Sequence, residues 1–391
     1  PGSSRICSRA WHHRQAPPMK FAEIAGHEET KARLREMADS GRIPHALLLE
    51  GPSGTGKFLL ARAFAQYIHC ENRHDGDSCG VCPACLQHQA FNHIDTIFSF
   101  PVVKKSGRTA LSDDYREVFQ EFMTESPYMD FDRWVEKLDN INAQPQIYVE
   151  EGTELLRRLT YMTRRSQYKV VLMWLPERLK EETANKLLKL VEEPFADTIF
   201  IMVSNNSRQI LPTIYSRTQR IVVRRYSDSE LEDVLIGQGM DAPTAADMAR
   251  IADGSVNLAW KTAQVSAERR KYFDLFAELM RKAYGRKVLE LRTWSKTVAE
   301  MGREPAMQFI DYCCRLIRES FVMHLHVDQL LTLSRSEREF VVRFFPFINE
   351  KNVVDMIELF DRSRRDIAGN GNAKIIFFDL AVRVIMLIRR K

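Results

Sequence analysis

The segment Gly51-Pro52-Ser53-Gly54-Thr55-Gly56-Lys57-Phe58 constrains this chain most. It follows the apolar run Ala46-Leu47-Leu48-Leu49. It precedes Leu59, Leu60, Ala63, Phe64, Tyr67 and Ile68, which recur at helical spacing. A glycine-rich turn between a buried strand and an amphipathic helix is the setting of a phosphate-binding loop. Glycines let backbone N–H groups turn inward around phosphate oxygens, and the helix N-terminus adds partial positive charge. The candidate phosphate-binding residues are Gly51, Gly54, Thr55, Gly56 and Lys57, with Lys57 reaching the β- and γ-phosphates. A chance glycine-rich turn is the alternative, disfavoured by the strand before it and the helix after it.

Three further apolar runs follow: Lys169–Trp174, Thr198–Val203 and the short Ile221-Val222-Val223. Continuous apolar strands separated by helical segments predict an α/β fold with a parallel sheet covered on both faces. Residues 102–146 break this rhythm and read as an insertion, with helix around Asp114–Met123 and Phe131–Leu138. Past Arg225 the strand signal stops. Ser227-Asp228-Ser229-Glu230 reads as a helix start. Short helices are expected over 227–265 and longer ones over 266–391.

Two positions depart from a hydrolytic site. The phosphate loop needs Ser or Thr after its lysine to hold Mg²⁺, and this chain has Phe58. The strand Lys169–Trp174 should end in Asp-Glu to hold the ion and activate water. Here Trp174 and Leu175 stand instead, and Glu177 is displaced beyond Pro176, where it reads as a first-turn residue of a helix. No intrinsic nucleotide hydrolysis is expected, although weak binding of ATP or ADP through Lys57 and the loop stays open.

Four of the seven cysteines, Cys70, Cys79, Cys82 and Cys85, have the spacing C-x8-C-x2-C-x2-C. Four thiolates suit a closed tetrahedral Zn²⁺ site with no position left for water, so the expected role is structural. Reduced or redox thiols are the alternative. His69, His74 and His88 lie nearby, but four cysteines make them unnecessary for that ion.

Charge gives little general attraction to nucleic acid. The net +5 includes Arg5, Arg9 and Arg14 of the first 18 residues. Without those three of the 57 basic side chains, 54 face 52 acidic ones, a net +2. The arginines at 33, 35, 157, 158, 164 and 165 read as solvated charges. Residues 1–18 lack the apolar core of a secretory signal and read as a disordered leader. No apolar run approaches the ~18 residues of a membrane span. The expected compartment is the cytoplasm, where thiols stay reduced.

Several segments occur in a fixed order: Ile43–Leu48, the phosphate loop, the four cysteines, Ala184–Pro194 and Ser216-Arg217-Thr218. In this combination the chain resembles subunits of the bacterial DNA polymerase III clamp loader, of the AAA+ class, and among them the delta prime type. The resemblance covers about residues 20–265. Beyond that it rests on length, helicity and Asn372-Ala373-Lys374. It implies an AAA+ domain over 19–225, carrying a zinc module at 70–85 and the insertion at 102–146. A helical lid would follow over 226–265, then an all-α collar over 266–391. It implies partnership with the delta and gamma/tau subunits, and through them with the sliding clamp and primed DNA. Arg217 maps to an arginine finger given in trans to a neighbour's ATP, with Thr218 replacing the usual cysteine. Asn205 or Asn206 falls in the sensor 1 region. Asn257 stands where hydrolysing members carry arginine in sensor 2. A gamma-type hydrolysing subunit, a zinc-containing P-loop nucleotide kinase and a pure scaffold are the other readings weighed.

Overall fold

The computed structural model describes residues 19–390, apart from 105–109, 139–143, 162–165, 193, 326–330, 332 and 334. The leader, Lys105–Arg108, Arg164 and Arg165 thus lie outside the described residues. The chain forms two compact units, divided in sequence between Thr262 and Ala263.

In the first unit, α1 (Glu28–Asp39) precedes β1 (Ala46–Glu50) and α2 (Lys57–His69). Then come α3 (Pro83–Gln89), β2 (Thr96–Ser99), α4 (Arg116–Glu125), α5 (Phe131–Lys137) and α6 (Val149–Tyr161). The series continues with β3 (Lys169–Trp174), α7 (Glu181–Glu192), β4 (Thr198–Ser204), α8 (Pro212–Tyr215) and β5 (Gln219–Val222). The five strands form one parallel sheet in the order β2-β3-β4-β1-β5. This is the expected α/β class, with the phosphate loop joining β1 to α2. Four strands were expected. The fifth, β2, is only four residues long, and its two apolar residues, Ile97 and Phe98, are too few to stand out.

β3 and β4 are buried along their whole length, which is why they read as continuous apolar runs rather than alternating ones. α6, α7 and α8 bring Leu155, Leu187, Val191 and Ile214 against Val171, Phe200 and Met202 of the sheet. The insertion contains α4 and α5 close to the expected positions. α9 (Asp228–Gly237) begins with the expected capping box: the Ser227 hydroxyl accepts from Glu230 N–H, and the Glu230 carboxylate accepts from Ser227 N–H at 2.9 Å. α10 spans Ala242–Ile251. α11 runs continuously over Val256–Tyr284, longer than the short helix expected there, because only Gly254 interrupts the pattern and it falls before the helix.

The second unit is helical: α12 (Val288–Ala299), α13 (Arg303–His324), α14 (Arg335–Phe344), α15 (Val353–Ala368) and α16 (Ala373–Leu387). Trp294, Phe309 and Phe377 meet in its core with ring centroids 6.1–6.3 Å apart. Asn372 caps α16 by accepting from the N–H groups of Lys374 and Ile375. Cys313 is buried in α13 and Cys314 half-buried, as core and boundary residues. Among the described residues no helix is long and apolar enough to cross a membrane.

Candidate functional site

The phosphate loop leaves the C-terminal end of β1. Gly51 and Gly54 adopt positive φ angles, and a Cβ on Gly51 would stand 2.3 Å from the Val223 carbonyl oxygen, so only glycine fits there. The second half of the loop is closed to solvent: Gly51–Ser53 are half-buried, and Gly54–Gly56 are buried. Thr55 and Lys57 are buried, at 0% and 3% exposure. Lys57 donates its ammonium to the Pro52 carbonyl and, at 3.4 Å, to Thr55 Oγ1. Thr55 Oγ1 itself donates to the Pro52 carbonyl. Burial lowers the Lys57 pKa to about 7, opposed by the charge of Glu177.

Residues after α10 close over the loop. Ser255 Oγ donates to the Ser53 carbonyl at 2.9 Å, and Val256 N–H donates to the Gly54 carbonyl at 3.0 Å. Asn257 Nδ2 donates to the Tyr128 carbonyl at 3.2 Å and to Ser53 Oγ at 3.4 Å. The first N–H of α11 is thus spent on a carbonyl of the loop itself. Tyr226 covers the other side: a Cβ on Gly56 would fall 2.7 Å from its hydroxyl. Its ring packs against buried His27 at 4.6 Å.

The two positions that lack metal ligands share one fate. Phe58 lies 6.2 Å from Phe119 of α4, edge to face. Trp174, ending β3, lies 6.0 Å from Phe119 and 5.8 Å from Phe122. Phe119 stacks on Phe100 at 3.6 Å, and Trp134 of α5 stands edge-on to both. Trp134 Nε1 donates to the Pro101 carbonyl at 2.7 Å, which satisfies its buried indole N–H. The insertion, for which the sequence offered no role, packs its aromatics onto the side chains that replace a hydroxyl and a carboxylate. Phe119→Ala is expected to lower the stability of this unit by about 3–5 kcal/mol, measured by urea denaturation.

Glu177 is the residue that sequence reasoning undervalued. It lies in a short 3-10 turn after β3, as the first-turn reading requires. Its carboxylate, however, is aimed inward. Oε1 accepts from Asn205 N–H at 2.8 Å and Asn206 N–H at 3.1 Å. Burial raises its pKa. The turn after β4 thus gives its backbone donors to Glu177, which in turn places a negative charge toward Lys57. Pro176 moves this carboxylate off the strand end, so strand spacing alone could not locate it.

Arg217 follows α8 at the surface, 39% exposed. Nη1 donates to the Thr213 carbonyl at 2.9 Å, and Nη2 pairs with Glu192 Oε1 at 2.5 Å. Thr218 Oγ1 donates to the Tyr215 carbonyl and fixes the turn.

The four cysteines converge as their spacing predicts. Their sulfurs lie within 4.8 Å of one another. Cys79 Sγ accepts from the N–H groups of Val81 and Cys82, and Cys70 Sγ accepts from Cys79 N–H. Backbone donors aimed at sulfur stabilise thiolate, and they lower the Cys79 pKa to about 6. Cys82 caps α3, which carries Cys85. The donor set fits a tetrahedral ion.

The family described as DNA polymerase III, delta subunit, matches residues 26–227. The chain belongs to this family. Among curated relatives, the gamma/tau subunit of DNA polymerase III from Mycobacterium tuberculosis is 29% identical over 214 residues, 54% of this chain and 30% of the relative. The delta' subunit from Haemophilus influenzae is 30% identical over 187 residues, 48% of this chain and 45% of the relative. The chain thus spans less than half the length of these relatives. A gamma subunit-related protein from Thermotoga maritima aligns over 92% of this chain and 99% of its own, with 14% identity and a TM-score of 0.33. The similarity extends to both subunit types.

Proposed function

We propose that this chain is a clamp-loader subunit of the DNA polymerase III holoenzyme, of the non-hydrolysing delta prime type. In this reading it helps place the sliding clamp on primed DNA in the cytoplasm and donates Arg217 to a neighbour's ATP. The observation that carries it is a contrast within one unit. The positions for Mg²⁺ ligands, Phe58 and Trp174, are buried in a single aromatic cluster, whereas Arg217 is exposed. An ion cannot be held where no oxygen points. A guanidinium at the surface can stabilise charge on a phosphate across an interface.

Residues 19–225 then serve as the AAA+ domain, 226–265 as its lid and 266–391 as the collar that joins delta and gamma/tau subunits. Cys70, Cys79, Cys82 and Cys85 hold a structural zinc ion, which when bound cross-links the two ends of the module. Nucleotide binding at Lys57 requires Ser255–Asn257 to release the loop, so affinity in the isolated chain is weak or absent. A hydrolysing gamma-type subunit is the second reading, supported by the similarity to gamma/tau proteins. Phe58, Trp174 and Asn257 weigh against it.

Reconstitution tests the reading. Mixed with delta and gamma/tau subunits, the chain should enter a complex that loads the clamp onto primed DNA in an ATP-dependent way. Failure to enter the complex, or loading at the same rate without it, overturns the proposal.

A further inference from the structure

Beside the cysteine cluster lies a second group of metal-type donors that neither the phosphate loop nor the thiolates use. His69 ends α2, His88 lies in α3, and His93 sits in the loop before β2. All three are buried, at 3–5% exposure. Their rings form a stack: His69 and His93 are 4.2 Å apart at 11°, and His88 and His93 are 4.3 Å apart at 19°. One nitrogen from each ring lies within 4.8 Å of the other two. Three stacked rings could simply fill core, but phenylalanine or leucine would do so without desolvating six ring nitrogens.

The hydrogen bonds of His69 fix where its lone pair points. His69 Nε2 faces the Tyr168 carbonyl at 2.9 Å and must carry the proton, because a carbonyl has none to give. In the neutral ring Nδ1 is then a lone pair, and it faces His88 Nε2 at 2.8 Å. A carbonyl that orients the far nitrogen of an imidazole is the usual support behind a metal-ligating histidine. His93 Nδ1 accepts from Asp95 N–H at 3.3 Å and lies 3.3 Å from Thr96 Oγ1, while Nε2 lies 3.5 Å from Ser166 Oγ. To ligate through Nε2 the ring gives up the Asp95 bond and shifts its proton to Nδ1, where Thr96 Oγ1 can accept it. The negative charge of Asp95 acts on both His69 and His93.

We propose that His69, His88 and His93 form a second metal site, for a divalent transition ion such as Zn²⁺ or Co²⁺. The ion takes the place of the proton shared by His69 Nδ1 and His88 Nε2, and that proton moves to His88 Nδ1. Bonds of 2.0–2.1 Å at a tetrahedral angle set donors about 3.4 Å apart. The 2.8 Å contact opens slightly and His93 turns inward to meet this. Three imidazoles suit borderline ions and disfavour Mg²⁺ and Ca²⁺. The site would pin α2, α3 and the loop before β2 to one point, next to the cysteine module but with a different donor set.

Cobalt titration of the full chain tests this, with bound ions counted after desalting and the absorption spectrum recorded. The wild type should hold two Co²⁺ ions per chain, one of them with thiolate charge-transfer absorption. The double variant His88→Phe/His93→Phe, which keeps the ring stack, should hold one ion with that absorption unchanged. Cys82→Ser should lose the absorption and keep the histidine-bound ion. A single ion lacking thiolate absorption in the wild type would support the histidine site and remove the cysteine one. The proposal is overturned by a single thiolate-bound ion at saturating cobalt, or by two ions in the histidine double variant.

Discussion

Replacing Arg217 with Ala is expected to cut ATP hydrolysis by about 10³-fold or more at the one site this chain faces in an assembled loader. Single-turnover hydrolysis in the reconstituted complex reads that site most directly. Assembly should be unchanged, because Arg217 contributes little to the fold. Its pairing with Glu192 is exposed on both sides, and exposed ion pairs contribute about 0–1 kcal/mol. On the proposed reading, the same weakness would let a neighbour's γ-phosphate take the guanidinium from Glu192. Arg217→Lys should restore only a fraction of the rate, since an ammonium cannot bridge two oxygens in the plane of a guanidinium. An unchanged rate in the Ala variant removes the finger role and leaves the chain a scaffold.

The second large effect is expected at Cys79. Its sulfur collects the backbone N–H donors of Val81 and Cys82, and it lies 3.9 Å from Cys85 Sγ. Cys79→Ser should abolish thiolate-bound cobalt absorption and release the structural ion. The consequences reach beyond the module. Lys20 Nζ donates to the Cys79 carbonyl, and Asp77 accepts from the N–H groups of Phe21 and Ala22. Loss of the ion should therefore loosen residues 19–23 along with 79–89, visible as lost amide-exchange protection in both segments. Each 1 kcal/mol lost corresponds to about 2–4 °C for a unit of this size, so the melting temperature should fall by several degrees. Wild-type protection after serine replacement would show that no ion supports the module.

What the sequence made legible follows the strength of each local signal. β1, β3 and β4 were readable because full burial on both faces leaves uninterrupted apolar runs. β2 was not, because four residues at a sheet edge carry too short a pattern. The cysteines were readable because metal geometry imposes close spacing along the chain. The aromatic cluster was not: Phe58, Phe100, Phe119, Trp134 and Trp174 are scattered over more than 100 positions, and only folding brings them together. The histidines show the same contrast. His69 and His88 looked dispensable beside four thiols, His93 drew no notice, and their mutual stacking depends on where β2 begins. Glu177 was read correctly as a first-turn residue, but its contacts with the Asn205 and Asn206 N–H groups were not legible, because a proline displaces it from the strand end. The loss of metal ligands was visible as two unrelated substitutions, whereas the structure makes them one feature, the anchor for the insertion.

Calorimetric titration of Mg²⁺-ATP into the isolated chain, with turnover followed in the same samples, tests the occluded loop most directly. The account predicts no hydrolysis, and no heat that Lys57→Ala removes. Magnesium-dependent turnover by the purified chain, abolished in the Lys57→Ala variant, would contradict it.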